Sequence, residues 1–347
     1  MSGAKYVLGI ESSCDETGAA VVSGGKVIGS SLATSLDQHV VFGGVIPEIA
    51  SRMHLEYIEP TVLDALTKAG LSLHDISAVS VTAAPGLTGC LNVGVGFAKG
   101  LAVGLKVPIY GVNHVVGHIL AASLDAPLPH RYVALIASGG HTSLVLVDGL
   151  DFTPLGGTLD DAAGEAFDKV GRLLGLEYPA GPKIDCLAEN GDKTAIKFPY
   201  PLLGPKFDVT HKFDFSFSGL KTAAVRELER QKSVPEPRRV SIEDFCASFS
   251  DAVAHVLVAK TLRAVTEYDV KAVVLGGGFS ANSQLRAKMQ DQCASLGVEL
   301  ILPPLKLCTD NGEMIANLGE MLLERGDPPS DLSFPVKSTL SLAVPQV

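Results

Sequence analysis

Near its start the chain reads YVLGIE, then SSCDE, then TGAAVV, so that two apolar runs flank a polar turn. That pattern predicts an antiparallel hairpin. It recurs as YVALIASGGHTSLVLV. With one gap, Tyr6 aligns with Tyr132, Ile10 with Ile136, Ser12 with Ser138 and Thr17 with Thr142. Elsewhere strand patterns alternate with helical ones: ISAVSVTAAPG before a glycine-punctuated helix, VPIYGVN before HVVGHILAASL, and VELILPP before a loop and NGEMIANLGEMLLERG. Such alternation predicts mixed α/β layers, and the repeated hairpin predicts a duplicated core. Residues 191–240, with GDKTAIKFPYPLLGPKF and QKSVPEPRR, break the rhythm and read as an insertion. The expected division is a lobe over 1–130, completed by 311–347, and a second lobe over 131–310.

Three turns have the composition of a phosphate cradle. The two hairpin turns offer Ser, Thr and Gly, whose backbone N–H groups and hydroxyls suit an anion. The third lies in KAVVLGGGFSANSQLRAKM, where a buried strand leads through Gly276, Gly277 and Gly278 to a helix expected to open near Ser280. Small residues there let backbone approach a ligand and aim the helix N-terminus at it. Asn282, expected in the first turn, could bond a sugar hydroxyl or a base edge. No Lys-Ser/Thr follows the glycines, so this is not a Walker A loop, and the spacing is not the dinucleotide fingerprint. The glycines of GVGFAKG fit helix packing.

In NHVVGH, Asn113 is a plausible helix cap, which puts His114 and His118 one turn apart on one face. That geometry suits two imidazoles on one cation, and it equally suits two ordinary helix histidines. A zinc peptidase needs Glu directly after the first histidine; here the residue is Val115. Downstream, CTDNGEMIA places Asp310 just before a helix. Two histidines and a carboxylate would leave coordination positions open for a substrate.

Composition narrows the setting. Of 347 residues 46% are apolar and 19% charged, enough for two cores. The start lacks the pattern of a signal or transit peptide. The apolar window Val93–Val112 is interrupted by Lys99 and Lys106, which argues against a membrane span. Six scattered cysteines without C-x-x-C fit a reduced, cytoplasmic protein. A net charge of −10 weighs against unaided binding to nucleic acid.

GIESSCDETGAA, GGVIPEIASRMH, APGLTG, NHVVGH, SGGHT, LDDAAGEAFDKVGRLLGLEYPAGP, FSFSGLKTA, GGGFSAN and CTDNGEMIA follow one another from residue 9 to 316. This ordered set resembles the bacterial tRNA N6-adenosine threonylcarbamoyltransferase family, once described as an O-sialoglycoprotein endopeptidase. The resemblance implies the two-lobed actin-like fold shared with Hsp70 and the sugar kinases. It implies an acyltransferase that moves threonylcarbamoyl from its adenylate to N6 of the adenosine 3′ of the anticodon, in tRNAs reading ANN codons. His114, His118 and Asp310 would then hold a divalent metal, with Fe(II) the usual assignment and zinc or magnesium alternatives. Ala137, Ser138, Gly139, Gly140 and His141 would contact the acyl phosphate. Asp168, Gly181, Asp185 and Asn282 would hold sugar and base of an adenylate, ATP or ADP. Relatives from archaea and eukaryotes carry a metal-ligating tyrosine where this chain has Ile136. Implied partners are tRNA, an inactive paralogue, a small ATPase and a threonylcarbamoyl-adenylate synthase, with no membrane. Asp15 and Glu16 are candidate bases, or two exposed turn carboxylates that bind their own turn. A small-molecule kinase of the same fold would leave the histidine pair unexplained. An Hsp70-type module would need a peptide-binding domain for which the chain has no room, and a metallopeptidase would need a glutamate at Val115.

Overall fold

A computed structural model describes residues 4–207 and 209–347. The chain divides into two units, one reaching to Leu128 and resuming at Pro303–Val347, the other Pro129–Leu302. The first begins with β1 (Tyr6–Glu11), β2 (Glu16–Ser23) and β3 (Lys26–Thr34). There follow a short α1 (Leu36–Val40), α2 (Pro47–Ala69), β4 (Ile76–Ala84), α3 (Thr88–Leu105), β5 (Ile109–Asn113) and α4 (His114–Leu120). Its sheet runs β3-β2-β1-β4-β5, antiparallel in the hairpins and parallel between β1, β4 and β5.

The second unit repeats the plan with β6 (Arg131–Ala137), β7 (Thr142–Asp148), β8 (Asp151–Gly157), α5 (Ala163–Leu173), α6 (Gly181–Ala188), α7 (Ser218–Lys232), α8 (Ile242–Glu267), β9 (Ala272–Gly276), α9 (Ser283–Leu296) and β10 (Glu299–Ile301). Its sheet runs β8-β7-β6-β9-β10, so strands stand in the same order by rank in both units. The aligned tyrosines and isoleucines fall in β1 and β6, and Ser12 and Ser138 follow directly after them. The described residues of 189–217 form no helix and no strand beyond a bridge from Phe215 to Thr158. The chain then returns to the first unit and closes with α10 (Gly312–Arg325).

Helix α10 lies on β1 and β2 with its backbone against theirs. A Cβ on Gly9 would stand 2.2 Å from the Ala316 nitrogen, and one on Gly18 2.6 Å from that of Gly312. The opposite face of the sheet buries Leu8, Ile10, Val79 and Val81 against Ile58 and Val62 of α2 and Val95 and Ala98 of α3. In the second unit Phe167, Phe249, Val253 and Leu257 pack on Leu135, Val273 and Leu275. Helices α3 and α8 are long and apolar enough to cross a membrane, but the apolar window of α8 is 83% buried within its unit.

Sequence reasoning misplaced one helix start. Gly278–Ala281 forms a single 3-10 turn, and α9 opens at Ser283 with Asn282 as its cap, Oδ1 accepting from the Leu285 N–H at 2.9 Å. The side chain of a cap residue competes for backbone donors, so Asn282 stands before the first turn and not within it.

Candidate functional site

Strand β5 runs directly into α4, and the junction is built by Asn113. Its Oδ1 accepts from Val115 N at 3.0 Å and Val116 N at 3.4 Å, which satisfies orphan donors at the start of the helix. Its Nδ2 donates to the carbonyls of Ser341 and Val344. The cap is therefore held from both sides, and it fixes the helical phase of the two histidines that follow. His114 and His118 are both buried, their ring centroids 4.7 Å apart and their planes at 84°.

The return of the chain at Pro303 brings Asp310 to them. Its Oδ1 lies 3.0 Å from His118 Nε2 and 3.4 Å from His114 Nε2. The ligand atoms of the three residues all lie within 4.8 Å of one another. Among the described residues His118 Nδ1 is buried without a hydrogen-bond partner, so the work of that ring is done through Nε2. Two imidazole nitrogens and one carboxylate oxygen converging on one point fit a divalent cation of the first transition row. Ile136 is buried within β6 and has no donor atom.

The electrostatics match a place that wants positive charge. For His114, burial disfavours the cation, but the Glu11 and Asp310 carboxylates outweigh it and hold the ring well above its ordinary pKa. Asp310 is likewise driven far below the carboxylate range, burial being overcome by His114 and His118. A cation bound by the trio would replace the Nε2 proton of His114. Glu11, which sequence reasoning passed over, lies behind His114: it is 0% exposed, with Oε2 3.0 Å from His114 Nδ1. Only its place one residue before the Ser-Ser turn could have flagged it.

The Asp15–Glu16 turn is less exposed than its sequence suggests. Asp15 is buried, its carbonyl held by Ser35, and its carboxylate is engaged by Cys14 and Glu16. Burial, then the charges of Asp310 and Asp15, push Glu16 up to about 10.

In the second unit the SGGH and GGG turns adjoin. Ile136 of β6 pairs with Gly276 of β9. Gly277 has φ +83°, and a Cβ there would lie 2.5 Å from the Ala137 carbonyl oxygen, so only glycine allows the two turns to touch. The SGGH turn closes on itself, Ser138 N–H donating to the His141 carbonyl and His141 N–H to Ser138 Oγ. Gly139 and Gly140 remain exposed, with open space where a Cβ would point. The start of α5 meets the same place: Gly164 N–H donates to the Ser138 carbonyl, and Ala163 N–H to Thr142 Oγ1.

The other four predicted residues are linked through α6. Asp168 of α5 accepts from Ala180 N–H at 2.8 Å and from Gly181 N–H, and burial nonetheless raises its pKa. Asp185, one turn along α6 from Gly181, accepts from Asn282 Nδ2 at 2.7 Å and from the N–H and hydroxyl of Ser283. The Asn282 amide is thus engaged within the protein at both ends, where the sequence suggested a side chain able to bond a sugar hydroxyl or a base edge.

The family profile of tRNA N6-adenosine threonylcarbamoyltransferase matches residues 26–317. The tRNA N6-adenosine threonylcarbamoyltransferase of Bifidobacterium adolescentis is 52% identical over 339 residues, 97% of either chain. Its counterpart in Bifidobacterium longum is 50% identical over the same share. Among solved structures, HypF of T. kodakarensis superposes with a TM-score of 0.63 at 15% identity, over 96% of this chain and 50% of that one. Component A of the Acidaminococcus fermentans (R)-2-hydroxyglutaryl-CoA dehydratase superposes with 0.51 at 16% identity, over 90% and 96%. Those two share the fold, and the fold is actin-like α/β.

Proposed function

The chain belongs to the tRNA N6-adenosine threonylcarbamoyltransferase family, and from that membership we propose how its residues serve the reaction. It transfers a threonylcarbamoyl group to N6 of a tRNA adenosine, the one 3′ of the anticodon in tRNAs that read ANN codons, from threonylcarbamoyl-adenylate. The N6 amine attacks the carbamoyl carbon, the bond from that carbon to the phosphate oxygen breaks, AMP leaves, and the amine loses a proton. Negative charge develops on the carbonyl oxygen and on the departing phosphate. The observation that carries the reading is the convergence of His114, His118 and Asp310 within a chain of this family.

The SGGH turn, Ala137–His141, and Gly276–Gly278 present backbone N–H groups for the acyl phosphate. Asp168, Gly181, Asp185 and Asn282 frame the sugar and base. The trio holds one divalent ion, Fe(II) before zinc or magnesium, and such an ion when bound supplies Lewis-acid stabilisation of developing negative charge. ATP or ADP is the further occupant of the nucleotide loops. Asp168→Asn keeps the size of the side chain but weakens its charge-assisted hydrogen bonds. Calorimetry should show adenylate binding weaker by about 1–2 kcal/mol; unchanged affinity would remove Asp168 from the nucleotide's contacts.

The net charge of −10 opposes a polyanionic substrate. The most basic stretch, 221–239, has half of its six cations paired: Arg230 with Glu227, Lys232 with Glu229, and Lys221 at 3.6 Å from Asp161. Positive surface for tRNA therefore comes from partners in the cytoplasm, away from membranes: an inactive paralogue and a small ATPase, with a separate synthase making the adenylate. Reconstitution tests this. Given threonylcarbamoyl-adenylate and unmodified tRNA, mass analysis of nucleosides should show slow or single turnover by this chain alone. Adding the partners should give multiple turnover that falls steeply with salt. Absence of product with every partner present would overturn the reaction assignment, and fast, salt-insensitive turnover alone would overturn the need for partners.

A further inference from the structure

We propose that Glu11 is a positioning residue for His114, deciding which ring nitrogen keeps its proton and thereby aiming the other at His118 and Asp310. The inference rests on the reading of that trio as a metal site. Glu11 closes β1 and is wholly buried. A carboxylate removed from water needs donors around it, and three surround this one. Oε1 accepts from Ser13 N–H at 2.6 Å, and Oε2 accepts from Thr82 Oγ1 at 2.5 Å and from His114 Nδ1 at 3.0 Å. Ser13 Oγ also approaches Nδ1, at 3.2 Å.

The competition is between two carboxylates on one ring. Asp310 lies 3.4 Å from His114 Nε2 and, acting alone, would draw a proton to that nitrogen and block it. Glu11 keeps a proton on Nδ1, so that the one a bound cation displaces is the one on Nε2, as outer partners of ligating histidines do. Among the described residues His118 has no such partner, its Nδ1 being buried and unbonded, so the trio has one ring of fixed orientation and one that is held by the helix. Had Glu11 served only to anchor the turn after β1, its bonds to Ser13 and Thr82 would suffice and a glutamine would replace it.

Glu11→Gln separates these roles. The Ser13 N–H cannot accept a hydrogen bond, so the glutamine oxygen must take the Oε1 side, and its NH2 then faces His114 Nδ1. That nitrogen would have to accept, and the proton would sit on Nε2. Chelator competition on the full chain with Co(II) should show binding weakened about 10–100-fold, while the urea midpoint shows the chain still folded. The wild-type chain loaded with Zn(II) offers a check that leaves Glu11 untouched: long-range 1H–15N correlation should place the His114 proton on Nδ1 and the metal on Nε2. Co(II) affinity in Glu11→Gln within about twofold of wild type, or coordination through Nδ1, would overturn the inference. If the wild-type chain takes up no metal, it is the metal reading itself that fails.

Discussion

Replacing His118 by alanine should strip the chain of its metal and of its transferase activity together while leaving it folded. The side chain is 2% exposed and meets Asp310 at 3.0 Å through Nε2, with Nδ1 unbonded. Its removal therefore takes away one donor of three and no other hydrogen bond. Losing an outer partner of a ligand commonly weakens a site 10–100-fold, so losing the ligand itself should weaken it by more than about a hundredfold. The wild-type chain should carry about one equivalent of metal. Elemental analysis and chelator competition read the first effect, and nucleoside mass analysis of tRNA reads the second. Full retention of metal would remove His118 from the site. The same result with His114→Ala would remove the site altogether.

A second large effect is expected far from any donor atom. Gly9→Ala sets a methyl group 2.2 Å from the Ala316 nitrogen and 2.5 Å from the Gly312 carbonyl oxygen. Both are backbone atoms of α10, so no side chain can turn aside, and the helix must lift from the sheet. Overpacking of this kind costs about 3 kcal/mol or more. Because Asp310 stands two residues before α10, the lift also moves the carboxylate away from His114 and His118. Urea unfolding should show the lost stability, and metal affinity should fall in parallel. A variant with wild-type values of both would mean that the helix and the sheet lie further apart than the structure has them.

How legible was this in the sequence? The hairpins were, because apolar runs around polar turns are local signals, and their alignment carried the duplication of the sheets. The histidine pair was legible because a helix converts a spacing of four into proximity. Asp310 could be nominated as a carboxylate just before a helix, but not its closeness: it reaches the histidines by a return of the chain after a whole intervening unit, and no local pattern encodes that. Glu11 was missed because a glutamate at the end of a strand looks like a solvated end. Its role depends on Thr82 and His114, which are remote in sequence and meet it only across the sheet. Asn282 was set inside the first turn because a cap and an interior first-turn residue differ by a single step of the chain. The glycines at 9, 18 and 312 offered no signal by themselves, since close approach is a property of two segments at once.

The order in which the first unit is assembled has a consequence for how the protein is made. On the ribosome His118 emerges long before Asp310, which lies 192 residues later. At synthesis rates of about 5–20 residues per second that interval is roughly 10–40 s. The second unit is continuous and can close meanwhile. Throughout that time the sheet of the first unit presents Gly9 and Gly18 uncovered, and the histidine pair lacks its carboxylate. The growing chain therefore passes through a stage in which it offers an apolar sheet face to chaperones and only two ligands to metal. A chain stopped at Leu302 would hold every strand of the second unit while its histidine pair still lacked Asp310.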